Sequence, residues 1–184
     1  MPHAKRLILT FFVALATGVA AQSTPDFSGR WTTDPDPALV GPAGAAAPRG
    51  AGPGRAGDMG SGWGSTITIT QGAGRLTVEY TFFGRGDMQP PLKFSYALDG
   101  SETRNTVMMG QGMQVQRSTT AWDGGALVIT TVHGFTDPAS GKPLTVEVKQ
   151  KLLLESPTSL VVTTTRAGVL AGPPSTTRTV YRKI

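Results

Sequence analysis

From Gly64 to the end of the chain, apolar and polar residues alternate. "STITIT" puts Ile67 and Ile69 on one face. "RLTVEYTF" aligns Leu76, Val78, Tyr80 and Phe82, and "LKFSYAL" aligns Leu92, Phe94, Tyr96 and Leu98. "ALVITTV" is a β-branched run, and "LTVEVKQKLLL" aligns Leu144, Val146 and Val148, then Leu152 and Leu154. A period of two marks a half-buried strand, because successive side chains leave opposite faces of the backbone. No stretch carries a comparable period of 3.6. Turn-forming residues stand between the runs: "QGAGR", Asp99-Gly100, Asp123-Gly124, "DPASGKP" and "SPTS". Asp-Gly between alternating runs favours a tight hairpin, since both residues tolerate positive φ. The pattern predicts about nine or ten strands, over 27–33, 65–70, 75–83, 92–98, 103–109, 113–121, 126–133, 143–154, 158–166 and 175–183. A meander this long curls and closes, which hides its edges. The expected fold is all-β: an antiparallel up-and-down meander closing into a barrel of about 8–10 strands. Its first strand pairs with its last. The inward candidates are Trp31, Ile67, Ile69, Leu76, Val78, Tyr80, Phe82, Phe94, Tyr96, Leu98, Ile129, Val146, Val148 and Val162.

Two segments break the pattern. Lys5 and Arg6 precede the apolar run Leu7–Ala20, and "VAA" offers small residues for cleavage after Ala21. This is the layout of a secretory signal peptide over residues 1–21. The run is short for a membrane span, which needs ~20 apolar residues. The protein is therefore expected to be exported, periplasmic or secreted, with no stable membrane span. Residues 22–184 suit a single domain. Within them, 35–62 is nearly all Pro, Gly and Ala. Little there can offset ordering entropy, so a disordered insert is expected, with Trp63 at its border. It joins the first strand to the second at one barrel mouth, as a lid carrying Arg49 and Arg55 or as a tether.

Composition narrows the chemistry. Removing Lys5 and Arg6 lowers the formal charge from +5 to +3. The remaining arginines are scattered rather than set in a stripe, which argues against a nucleic-acid partner. There is no cysteine, so no disulfide framework holds the fold. Only His133 remains after the leader, too few ligands for a transition-metal site. Asp99, Asp123 and Asp137 each sit in a turn motif, and turn geometry accounts for them. "GAGPGRAG" lacks the strand-to-helix context of a phosphate loop. No catalytic constellation emerges, and no cofactor or metal is expected. Met108, Met109 and Met113 surround "MMGQGM", where methionine suits an adaptable apolar rim.

The mature chain opens with "PDFSGRWTTD". Phe27, Gly29 and Trp31 share a face, so Gly29 leaves room for a crossing neighbour while Trp31 plugs the narrow barrel end. Arg178 and Arg182, on one parity of the closing strand, are the expected cations over the indole. Gly-x-Trp on the first strand with Arg on the last resembles the lipocalin superfamily. More narrowly, "DFSGRWTTD", "AWDGGALVIT" and "TTRTVYRKI" in that order resemble small exported bacterial proteins with a lipocalin-like domain. The resemblance covers most of 25–184 apart from the insert, and implies a lipocalin-like barrel with no settled activity. Fatty-acid-binding barrels carry Arg-x-Tyr pointing inward on the closing strand. Here Arg178 and Tyr181 stand three apart, on opposite faces, so the arginines are expected over Trp31 and Tyr181 outside.

The expected function is binding of a small, largely apolar or amphipathic ligand inside the barrel. Tyr80, Phe82, Phe94, Tyr96 and Met108 are the candidate contacts. One alternative is a barrel filled by its own side chains, acting as a structural or protein-interaction module. Another is a small outer-membrane barrel, against which stand the polar outward faces Thr77, Glu79, Thr81 and Thr145, Glu147, Lys149, Lys151. An interior cavity of ~300 Å³ or more favours the ligand.

Overall fold

The computed structural model describes residues 24–33, 61–80, 91–109, 112–136, 140–167 and 173–184. The expected signal peptide at 1–21, most of the expected insert at 35–62, Arg49, Arg55 and Phe82 lie outside them. Ten strands follow one another: β1 (Gly29–Thr33), β2 (Thr66–Gly72), β3 (Arg75–Tyr80), β4 (Leu92–Ala97), β5 (Thr103–Met109), β6 (Gly112–Asp123), β7 (Ala126–Thr136), β8 (Pro143–Ser156), β9 (Ser159–Arg166) and β10 (Ser175–Lys183). They form one antiparallel sheet in the order β4-β3-β2-β1-β10-β9-β8-β7-β6-β5. The first strand pairs with the last, Trp31 opposite Lys183 and Thr33 opposite Tyr181. The meander therefore curls into a nearly closed barrel.

Tight turns gather at one end, the turn end. The β2–β3 hairpin turns on Ala73 and Gly74, both at positive φ. That is the backbone of a two-residue hairpin loop, and it puts an alanine where glycine or asparagine is usual. Gly100 and Gly124 supply positive φ in the two Asp-Gly turns. Asp99 takes the Ser101 N–H at 2.9 Å and its hydroxyl at 2.7 Å, bracing the β4–β5 connection. The remaining connections, at 34–65, 81–91, 110–111, 137–142 and 167–174, leave from the opposite, loop end.

Alternation along the strands fills the interior. Phe27, Trp31, Ile67, Leu76, Val78, Leu127, Ile129, Leu152, Leu160, Val162 and Tyr181 are essentially inaccessible to water. Most inward candidates read from the sequence are buried. Leu98 is half-buried against the core, and Val146 and Val148 are half-exposed toward the loop end.

The sheet has one break. β4 and β5, neighbours in sequence, are the two ends of the ladder. Side chains close the gap. The Asn105 carbonyl oxygen accepts the Ser95 N–H at 2.8 Å, and its amide donates to the Ser95 carbonyl at 3.0 Å. One amide side chain thus replaces the peptide group of a neighbouring strand. Beside it, the Thr120 hydroxyl of β6 donates to the Ala97 carbonyl at 2.5 Å. Asn105 is only 7% exposed, so these bonds form away from water and satisfy groups that would be costly to orphan.

Candidate functional site

The turn end is a solid plug. Trp31 is fully buried, and its indole N–H donates to the Phe27 carbonyl at 3.1 Å. Phe27 in turn stacks on Trp122, ring centroids 6.2 Å apart. Gln71 pins the strap before β1, accepting the Phe27 N–H at 3.1 Å and donating to the Pro25 carbonyl at 2.9 Å. The cation over the indole is Lys183, 5.2 Å from the ring centroid. Arg178 points outward to Glu155 at 2.7 Å, and Arg182 is exposed on the same outward parity. The expectation that these arginines cover Trp31 is corrected by register. Trp31 sits opposite Lys183, and a one-residue difference changes the face. A Cβ on Gly29 would lie 2.5 Å from Lys183 Cε, and Gly29 holds φ of 150°. The crossing neighbour that Gly29 admits is therefore the Lys183 side chain.

The same register turns Tyr181 inward, against the expectation that it packs outside. It is fully buried and organises the middle of the barrel. A chain of hydrogen bonds runs through it. The Trp63 N–H donates to Ser61 Oγ at 3.2 Å, Ser61 Oγ meets the Tyr181 hydroxyl at 2.5 Å, and Tyr181 donates to the Gly64 carbonyl at 2.7 Å. Gln150 Nε2 donates to the Ser61 carbonyl at 2.6 Å. Burial pushes the Tyr181 hydroxyl up to about 12, so it stays a neutral donor at physiological pH. Trp63 is 3% exposed and tilts against Tyr96, centroids 6.4 Å apart. Ser61 and Gly62, the last residues of the span expected for the insert, belong to this inward plug, and Trp63 at its border packs in the core.

The interior changes character above the plug. On β8 the inward column reads Leu144, Val146, Val148, Gln150, Leu152; its last two members are buried and its first three half-exposed. His133 opposite Val146 and Arg166 opposite Val148 flank this column. Across the barrel, Tyr80 and Phe94 stack at 5.7 Å with near-parallel rings. Of the candidate ligand contacts, Tyr80, Phe94 and Tyr96 are therefore brought to one aromatic wall. Met108 is opposite Met113 on the β5–β6 ladder. Gln150, Ser61 and Asn105 escaped the sequence reading. The available signal was parity: a polar residue inside an apolar inward column needs a buried partner.

Burial, then the Arg166 charge, holds His133 below the ordinary imidazole value of 6.5. The unfolded chain therefore takes up this proton first as pH falls. The His133 contribution to stability is complete above about 6.5 and is lost as pH drops through the depressed value. Thermal unfolding from pH 8 to pH 5 is expected to show a fall in midpoint that His133→Gln flattens. An unchanged slope in that variant counts against the burial of this imidazole.

Outside the turn end, Asp26, Gln71, Leu98, Asp99 and Trp122 line an open groove of about 490 Å³. Its carboxylates brace their own turns, Asp26 on Ser28 and Asp99 on Ser101, which lowers both below the usual carboxylate range. Among the described residues, no group of three His, Cys, Asp or Glu side chains is placed to hold a metal ion. Comparisons with protein-family models, with curated proteins and with solved structures find no match to this chain.

Proposed function

We propose that this is an exported, soluble, lipocalin-like protein that binds a small amphipathic ligand at the loop end of its barrel and catalyses no reaction. One observation carries the reading. The inward column of β8 is apolar but half-exposed at Leu144, Val146 and Val148, whereas the same column is buried below Gln150. Apolar side chains that face a concave interior yet still meet water are a surface for an apolar guest. The water-facing exterior supports a soluble barrel. Thr145, Glu147, Lys149 and Lys151 are exposed, with Lys149 paired to Glu147 at 3.1 Å and Lys151 to Asp123 at 2.6 Å.

The plug favours a second reading. Ser61, Trp63 and Tyr181 fill the barrel axis, as in a module that presents only its outer surface to a partner protein. Titration with the uncharged fluorophore N-phenyl-1-naphthylamine separates the two. Saturable enhancement is expected, weakened ~10-fold or more by Val146→Asp with the thermal midpoint retained. No saturable enhancement in the unmodified protein selects the filled-barrel module.

A further inference from the structure

The groove outside the turn end has walls fixed by the fold itself. Gln71 holds the strap ahead of β1 by three bonds. Its Oε1 accepts the Phe27 N–H at 3.1 Å, its Nε2 donates to the Pro25 carbonyl at 2.9 Å, and its backbone N–H donates to Ser28 Oγ at 3.0 Å. Asp26 on that strap accepts the Ser28 N–H at 2.9 Å, and Asp99 accepts the Ser101 N–H at the same distance. Half-buried Trp122 stacks on Phe27 with the rings 14° from parallel. Gly72 and Gly74 also line the groove, and a Cβ on either would meet no atom within 4 Å. Side chains are thus missing where they would fill the space.

The two carboxylates of this groove have no ion-pair partner among the described residues. The exterior ion pairs take Glu79, Glu102, Asp123, Glu147 and Glu155, and none takes Asp26 or Asp99. Lys183 acts on Asp26, and Arg75 on Asp99, only from beyond ion-pair distance. The serine hydrogen bonds hold both carboxyls below the usual carboxylate range, so both are charged at neutral pH. Between them the lining is apolar, with Leu98 and Trp122 both half-buried against the core.

We infer that this groove binds a small primary ammonium ion with an aromatic body, its head at Asp26 and Asp99 and its ring on Trp122 and Leu98. The site lies at the opposite end of the barrel from the loop-end column and does not depend on it. Charge complementarity selects a cation. An ammonium group carries three N–H donors, enough to serve both carboxylates, whereas a quaternary ammonium has none. The indole adds a stacking surface for the ring and a negative face for the charge.

Titration followed by tryptophan fluorescence tests the inference, because Trp31 and Trp63 are buried and Trp122 is the indole that lines the groove. 2-Phenylethylamine and 2-phenylethanol share a ring and differ in the head. The unmodified protein is expected to give a saturable change with the amine and to bind the alcohol ~10-fold or more weakly, the gap narrowing as salt rises. Asp26→Asn and Asp99→Asn keep the acceptors that the Ser28 and Ser101 N–H groups use. Each alone is expected to remove part of the preference, and together they bring the two affinities within ~3-fold. Gly72→Val, whose side chain would enter the groove, is expected to abolish both titrations with the thermal midpoint retained. Glu147→Gln, on the outer face of β8, removes one negative charge elsewhere and is expected to change nothing. Absence of a saturable change in the unmodified protein, equal affinities for the two compounds, or a preference that survives the double variant overturns the site.

Discussion

Trp31→Ala is expected to destabilise the protein by ~3–5 kcal/mol in denaturant unfolding, the usual cost of emptying a large buried site. Three losses coincide at this position. The indole is fully buried and is the largest inaccessible side chain among the described residues. Its N–H satisfies the Phe27 carbonyl, which would be left buried without that partner. Its ring also carries Lys183, whose cation–π contribution is smaller, ~0.5–1 kcal/mol at so exposed an ammonium. Lys183→Met should therefore cost far less than Trp31→Ala. Equal costs would mean that the cation, and not the packing, closes the turn end. Unchanged stability in Trp31→Ala would remove the plug altogether.

Asn105→Leu is expected to cost ~2–6 kcal/mol, because it orphans two partly buried backbone groups at ~1–3 kcal/mol each. Elsewhere around the barrel, a lost side chain leaves the backbone ladder intact. Between β4 and β5 the side chain is the ladder, joining Ser95 to the facing strand through both its N–H and its carbonyl. The variant should also expose two strand edges, so concentration-dependent association in size-exclusion chromatography should accompany the lower stability. Asn105→Asp, which keeps the acceptor and loses the donor, should fall between. A stable, monomeric Asn105→Leu protein would mean that Thr120 and the inner packing hold the seam by themselves.

The strands were legible because their signal is local. Residues such as Ile67, Val78 and Phe94 alternate with polar neighbours, and period two needs no tertiary information. The pairing of first and last strands followed from closure of a meander. Register was not legible, since it depends on which residue of β10 stands opposite Trp31. Placing Lys183 there, rather than Arg182, reversed the sides expected for Tyr181 and for the arginines. The seam was hidden for another reason: Asn105 reads as an ordinary polar strand residue until its partner Ser95 is known. Ser61 and Trp63 end a low-complexity run, whose composition says nothing about a few residues that turn inward and bond to Tyr181.

The pairing of β1 with β10 also sets a timetable. Each of β6, β7, β8 and β9 ladders with the strand that follows or precedes it directly, so those hairpins assemble as synthesis proceeds. β1 emerges early and finds β2, but its other neighbour arrives only after β2 to β9 have been made. Bringing such distant segments together is the slow step for β proteins. Until then the nascent chain holds two part-sheets, one from β1 to β4 and one from β5 to β9, each with unpaired rims. Trp31 stays uncovered throughout that interval, because Lys183 lies on β10, which follows all of the strands from β2 to β9.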